Sequence, residues 1–129
     1  MSGIKYLLDT NFILGILKSN PIVLAEIISR RRPVNECLYS AISRMELLGF
    51  MGITHEEDLF IRQKLTHLTY LPLTLAIEDV VIDLRRTRKI KLPDAIIAAT
   101  ALCFGIELPT LDQHLLAVVR SGALSLHQN

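Results

Sequence analysis

Strand-like and helix-like segments alternate along this chain without a tight-hairpin signal such as Asn-Gly between consecutive strands. Short apolar runs predict strands at residues 4–8, 37–42, 67–73, 106–110 and 123–126. Apolar periodicity and helix-start signals predict helices at residues 12–17, 21–30, 43–51, 54–66, 74–85, 94–103 and 115–119. Because strands separated by helices pair in parallel, this order predicts an α/β protein with helices on both faces of its sheet.

Length and composition are consistent with one folded unit. The chain has 129 residues, the usual size of a single domain, and half of them are hydrophobic. We therefore expect residues 1–129 to form a single-domain, three-layer α/β sandwich. Its mostly parallel central sheet should have four to five strands.

Net charge and cysteine content restrict the functional classes. The formal charge of +1 gives no global attraction to nucleic acid, so any such binding requires a local patch. Cys37 and Cys103 lack the spacing of a metal site, which favours buried thiols in a reducing cytoplasm. We find no secretory leader and no apolar run of the length that spans a bilayer. A soluble, cytoplasmic protein without membrane contact is expected.

Acidic residues occur near the predicted carboxyl ends of the strands, where open parallel sheets bind ligands. Asp9 follows the first strand, Glu46 begins the helix after the second, and Asp112 follows the fourth. Asp94 opens a helix just after Pro93. Each has a local alternative: Asp9 and Asp112 as cap or turn residues, Glu46 in a capping box with Ser43, and Asp94 as a charge complementing the helix dipole.

Taken together, the four acids point to a metal site. Clustered carboxylates repel one another and raise one another's pKa, so an ionised cluster favours a bound cation. Mg²⁺ and Mn²⁺ prefer such oxygen ligands, polarise a phosphodiester and lower the pKa of water. If the four side chains converge, hydrolysis of phosphodiester bonds is the chemistry they suit.

The same residues carry a family resemblance. The segments LLDTN at 7–11, SRMEL at 43–47, LPDAIIAA at 92–99 and LPTLD at 108–112 resemble the four motifs of the PIN domain family. More narrowly, the chain resembles the VapC-type toxins of bacterial toxin–antitoxin pairs. This resemblance implies an Mg²⁺- or Mn²⁺-dependent endoribonuclease, an RNA substrate, a cognate antitoxin and a homodimer.

The resemblance also implies roles for individual residues. The catalytic acids would be Asp9, Glu46, Asp94 and Asp112, of which Asp9, Asp94 and Asp112 would bind metal. Hydrogen bonds from Thr10, Asn11 and Thr110 would orient these carboxylates. The apolar segment at residues 45–51 resembles the surface that the family uses for dimerisation and for antitoxin binding.

One departure from the family pattern leaves an alternative open. The fourth motif usually continues with another acid and an aromatic residue, but here Gln113 and His114 follow Asp112, which weakens the case for a second metal. A catalytically silent PIN-like module that binds RNA or protein is therefore the second hypothesis. A phosphotransferase of the haloacid dehalogenase type is disfavoured because Asn11 stands where that chemistry needs a second Asp.

A run of basic residues precedes Asp94 and is the predicted RNA-binding segment. Positive charge beside an acidic metal site suits a polyanionic substrate, because phosphate contacts supply most sequence-independent affinity. Solvated Lys and Arg at a helix end, favoured there by the helix dipole, are the alternative. The predicted RNA-binding residues of this run are Arg85, Arg86, Arg88, Lys89 and Lys91. Arg44, two positions before Glu46, is a separate candidate for phosphate binding.

Overall fold

The computed structural model describes residues 5–22, 36–110 and 112–127, with the backbone alone for 123–127. The strands are β1 (Tyr6–Leu7), β2 (Cys37–Ser40) and β3 (Thr69–Leu71). The helices lying wholly within these ranges are α1 (Thr10–Leu17), α2 (Ala41–Leu48), α3 (His55–Leu65), α4 (Leu75–Thr87), α5 (Leu92–Phe104) and α6 (Gln113–His127). Of the predicted helix at 21–30, residues 21–22 are helical and the rest lies outside the described residues.

The sheet is parallel, in the order β1–β2–β3. Leu7 pairs with Leu38, and Leu38 in turn pairs with Thr69. On the other side of β1, Tyr6 forms an isolated parallel bridge with Glu107. The segment after α5 therefore lies beside β1, although it is too short to count as a strand. The expected parallel α/β architecture is confirmed.

Helices cover both faces of this sheet, because alternate strand residues point to opposite sides. Leu7 and Leu38 pack with α4, α5 and α6 in one core cluster. Leu8, Cys37 and Tyr39 pack with α1, α2 and α3 in a second cluster. Cys37 is thus buried as expected, whereas the expectation of a buried Cys103 is wrong because its side chain is exposed on α5. The result is the three-layer arrangement that the sequence predicts.

α5 is the most buried helix of the described chain, with every residue from Ala95 to Ala101 buried. Its small side chains let α4 and α6 pack closely against it. Pro93 lies in its first turn, and Gly105 ends it with a left-handed backbone (φ 60°) that glycine adopts without strain. These end signals place Asp94 at the start of the helix, near the end of the sheet.

The expected strands four and five are wrong in this structure. Residues 123–126 belong to α6, because Leu115 and Val118 place an apolar helical face on the core and the helix continues beyond them. Residues 106–110 make only the bridge at Glu107, since Pro109 has no N–H to donate to a neighbouring strand. The sheet of the described residues therefore has three strands rather than four to five.

Two helix starts differ in outcome. The Thr54 capping box is confirmed: its hydroxyl accepts from the Glu57 N–H, and the Glu57 carboxylate accepts from the Thr54 N–H. The predicted box of Ser43 with Glu46 is wrong, because α2 begins at Ala41 with Ser40 as its N-cap. Glu46 is thereby free of any capping role. Within the described residues, no helix is both long and apolar enough to cross a membrane.

Candidate active site

Asp9 connects β1 to α1 and is held by two hydrogen bonds. As the N-cap of α1, its Oδ1 accepts from the Phe12 N–H at 2.7 Å. Its Oδ2 accepts a hydrogen bond from the Thr110 hydroxyl. The side chain is almost fully buried, with 5% of the residue exposed. Asp9 thus has the local capping role that its position suggests, and it faces a second element as well.

Glu46 is oriented from α1 rather than from its own helix. The Thr10 hydroxyl donates to Glu46 Oε1 at 2.6 Å, and Thr10 Oγ1 lies 2.9 Å from Ser43 Oγ. Thr10 therefore contacts the carboxylate of one predicted acid, Glu46. Thr10, the first residue of α1, therefore connects the first and second acidic motifs.

Thr110 connects Asp9 to Asp112. While its hydroxyl donates to Asp9, its Oγ1 accepts from the Asp112 N–H at 3.0 Å. Asp112 in turn accepts from the Leu115 N–H at 3.1 Å, which caps the start of α6. One hydroxyl therefore contacts both the first and the fourth motif.

All four predicted acids line one cavity of about 230 Å³, here called the acidic cavity. Asp9 lies at the end of β1, Glu46 on α2, Asp94 on the first turn of α5, and Asp112 before α6. Its other lining residues are Thr10, Asn11, Leu14, Ile97 and Leu115. The convergence expected from the order of the strands is therefore present, with Thr10 and Asn11 beside the acids.

Two carboxyl groups of this cavity are electrostatically strained. Burial raises the pKa of Asp9, and the nearby Asp112 and Asp94 raise it further against the opposing hydrogen bonds from Thr110 and Phe12. Burial also raises the pKa of Asp94, with added repulsion from Asp112 and Glu46. Burial and mutual repulsion therefore disfavour the state in which both carboxyl groups are ionised. A bound cation would stabilise that state.

The donor set fits a hard divalent ion. The described residues hold no group of three or more His, Cys, Asp or Glu side chains already spaced to bind a metal. Mg²⁺ nevertheless commonly binds through one or two carboxylates and retains several waters. A cavity of about 230 Å³ lined by mutually repelling carboxylates has the room and the charge for that mode of binding.

Asp9→Asn should stabilise the protein when divalent ions are chelated. The pKa of Asp9 in the folded protein lies above the ordinary value of 3.8, so the folded state holds the proton more tightly than the unfolded state does. The free energy of unfolding therefore falls as the pH rises from 3.8 through the raised pKa. Asparagine removes this loss and keeps the cap, because its carbonyl accepts from the Phe12 N–H and its amide can donate to Thr110.

Denaturant unfolding in a chelator, between about pH 4 and about pH 8, checks this expectation. The wild-type stability should decline more steeply with pH than that of Asp9→Asn. Added Mn²⁺ should stabilise the wild type more than the variant. A variant that is less stable than wild type near neutral pH in chelator would contradict the electrostatic account.

A second, cationic cleft adjoins the acidic cavity at Asp94. This basic cleft, of about 530 Å³, also contains Ile90 and His114, and its cationic residues are Arg85, Arg88, Lys89 and Lys91. Arg88 is held in place by a hydrogen bond of 2.8 Å to Ser121 Oγ. The charges of Lys91 and His114 lower the pKa of Asp94, against burial and its acidic neighbours.

The structure divides the predicted RNA-binding residues into two groups. Four of them line the basic cleft, whereas the exposed Arg86 does not, because consecutive residues of a helix point in different directions. Arg44 is half-buried on α2, where its charge acts on the phenol of Tyr39. His114 also lines this cleft, although the sequence favours a surface histidine over a substrate contact at this position two residues after Asp112.

The comparisons with known proteins agree with this arrangement. A sequence model described as "PIN domain" matches residues 6–120. No curated protein gives a significant match. A toxin–antitoxin complex from Klebsiella pneumoniae contains a chain with 26% identity and a TM-score of 0.75, covering 88% of this chain and 91% of its own.

Two further solved structures share the fold. FitAcB from Neisseria gonorrhoeae has a TM-score of 0.69 at 21% identity, covering 89% of this chain and 93% of its own. VapBC2 from Rickettsia felis, bound to a DNA fragment from its promoter, has a TM-score of 0.70 at 17% identity, with the same coverage. From the match over residues 6–120 and the shared architecture, this chain belongs to the PIN domain family.

Proposed function

We propose that this protein is a divalent-metal-dependent endoribonuclease and the VapC-type toxin of a type II toxin–antitoxin pair. The observation that carries the proposal is the convergence of Asp9, Glu46, Asp94 and Asp112 on one cavity. Nuclease activity is general among PIN domains, and a toxin–antitoxin complex is among the similar structures. We propose that residues 1–129 form the single domain that carries this endoribonuclease activity.

Asp9, Asp94 and Asp112 would hold Mg²⁺ or Mn²⁺, and Glu46 would complete the acidic lining. When bound, the ion supplies positive charge to the phosphodiester and lowers the pKa of water, so that hydrolysis needs no side-chain base. Thr10 and Thr110 hold the carboxylates of Glu46 and Asp9 toward the cavity. Asn11 lines the same cavity and is proposed to assist them.

The basic cleft supports RNA as the substrate. It shares Asp94 with the acidic cavity, so a strand whose scissile phosphate lies at the acids would place a neighbouring phosphate among Arg85, Lys89 and Lys91. The net charge of +1 makes this local concentration of cations the main source of attraction for a polyanion. RNA binding is therefore assigned to this cleft rather than to the whole surface.

Cleavage of total cellular RNA tests the proposal. The purified protein is incubated with Mg²⁺, with Mn²⁺ or with chelator, beside the Asp9→Asn variant. Discrete fragments that require metal and disappear in the variant are expected. A folded wild-type protein that binds RNA but cleaves none with either ion would favour the silent binding module, which the altered residues Gln113 and His114 after Asp112 allow.

An exposed apolar patch supports a protein partner. Met45, Phe50 and Met51 project from the end of α2 and the turn after it, and Leu59 and Phe60 lie nearby in sequence on α3. Met51 is 95% exposed. Exposed apolar clusters of this kind mark interaction surfaces. We assign this patch to the cognate antitoxin, and expect the protein to form a homodimer.

Phe50→Asp should weaken antitoxin binding by about 2 kcal/mol or more, because a charge replaces an aromatic anchor. The candidate antitoxin would be the product of any small open reading frame found adjacent to this gene, and calorimetry of the purified pair would measure its affinity. Leu75→Asp is the matched control, since Leu75 is 77% exposed but lies on the helix layer of the other face. Equal losses in both variants would contradict the assignment.

A further inference from the structure

Ser43 is more buried than any of the predicted site residues, and its hydroxyl contacts Thr10, the residue that binds Glu46. Ser43 lies in the first turn of α2 and is fully buried, with 0% of the residue exposed. Its backbone N–H donates to Oγ of the cap residue Ser40 at 3.3 Å. Its side chain instead crosses to α1, where its Oγ lies 2.9 Å from Thr10 Oγ1.

The direction of these hydrogen bonds follows from counting hydrogens. The Thr10 hydroxyl has one hydrogen, and an ionised carboxylate can only accept. The contact of 2.6 Å with Glu46 Oε1 therefore uses the Thr10 hydrogen. Ser43 must then be the donor to Thr10, so the order is Ser43 to Thr10 to Glu46.

We propose that Ser43 is a positioning residue for Glu46, acting through Thr10. Donation from Ser43 occupies a lone pair of Thr10 Oγ1 and leaves the Thr10 hydrogen directed at the carboxylate. Since Ser43 is buried and Thr10 lines the acidic cavity, a core hydroxyl thereby sets the orientation of a cavity carboxylate. This inference rests on the proposed metal-dependent function.

A double-mutant cycle with Mn²⁺ as the probe tests the inference. Calorimetry gives the Mn²⁺ dissociation constant of the wild type, Ser43→Ala, Thr10→Val and the double variant. Glu46 lines the cavity without being one of the three proposed ligands, so its carboxylate acts on the ion through its charge. Loss of its orientation in Ser43→Ala should raise this constant by at most about tenfold, the lower end of what removal of a partner that orients a ligand costs. The double variant should be no weaker than Thr10→Val alone, because Ser43 has no route to Glu46 without Thr10.

Conservative variants separate positioning from packing. Thr10→Ser and Ser43→Thr each retain the hydroxyl and should bind Mn²⁺ close to the wild-type value. Thermal melting shows whether the added methyl of Ser43→Thr is tolerated at this buried position, and Thr10→Ser avoids that difficulty. A hydroxyl that served only the core would change the melting temperature without changing Mn²⁺ affinity.

The outcomes distinguish this inference from the proposed function. A wild type that neither binds Mn²⁺ nor cleaves RNA overturns both. A wild type that binds Mn²⁺, with Ser43→Ala binding equally well, overturns only the role of Ser43. Independent, additive losses in Ser43→Ala and Thr10→Val would also overturn it, because they would show that Ser43 acts by another path.

Discussion

Asp94→Asn is expected to reduce metal-dependent RNA cleavage on the order of 10³-fold or more while leaving the fold intact. Asp94 lines both the acidic cavity and the basic cleft, so it stands where ion and RNA would meet. Asparagine keeps the size of the side chain but removes the charge that is proposed to hold a divalent ion. The initial rate of cleavage at saturating Mn²⁺, with circular dichroism melting beside it, measures both effects.

Asp94 is a cleaner test than Asp9, because Asp9 accepts hydrogen bonds from Phe12 and Thr110 and its change to asparagine is itself expected to alter stability, whereas α5 begins without a side-chain cap bond. Loss of the interaction between Asp94 and the helix dipole should lower the free energy of unfolding by only about 0.3–1 kcal/mol. Removal of the repulsion from Asp112 and Glu46 offsets this loss. Asp79→Asn is the matched control, the same change at an exposed position of α4. Cleavage by Asp94→Asn at the control rate would refute the assignment of the acidic cavity.

The double variant Arg85→Gln/Lys89→Gln is expected to weaken RNA binding and to lower its salt dependence. Each phosphate contact to a single strand contributes roughly 0.7 to the slope of log affinity against log salt, so two lost contacts lower the slope by about 1.4. Over one decade of salt concentration this corresponds to roughly 25-fold. Both residues line the basic cleft.

Fluorescence anisotropy with a single-stranded RNA, in an Asp9→Asn background that prevents cleavage, gives the slopes. The sequence offers its own control, since Arg86 is adjacent to Arg85 but does not line the cleft. Arg86→Gln should leave the slope nearly unchanged, whereas Arg85→Gln should lower it by about 0.7. Equal changes in the two single variants would mean that RNA contacts the helix end generally rather than the cleft.

Much of this fold was predictable because its signals are local. The apolar run before Asp9, the capping box at Thr54 and the stop at Gly105 each act within a few residues, and all three appear in the structure. Strand order also placed three acids at one edge, because the carboxyl ends of parallel strands share an edge. The two wrong strands lie near Pro109 and in α6, where short apolar runs do not distinguish strand from helix.

The sequence by itself determined the parallel α/β architecture and which acids were candidates, since alternation of segments and residue chemistry are properties of the chain alone. Only the tertiary structure decided that Arg85 shares a cleft with Asp94 while Arg86 does not, and that Ser43 bonds across to Thr10. These relations depend on how helices rotate and pack against one another. Contacts between residues more than thirty positions apart have no local signal that a single sequence records.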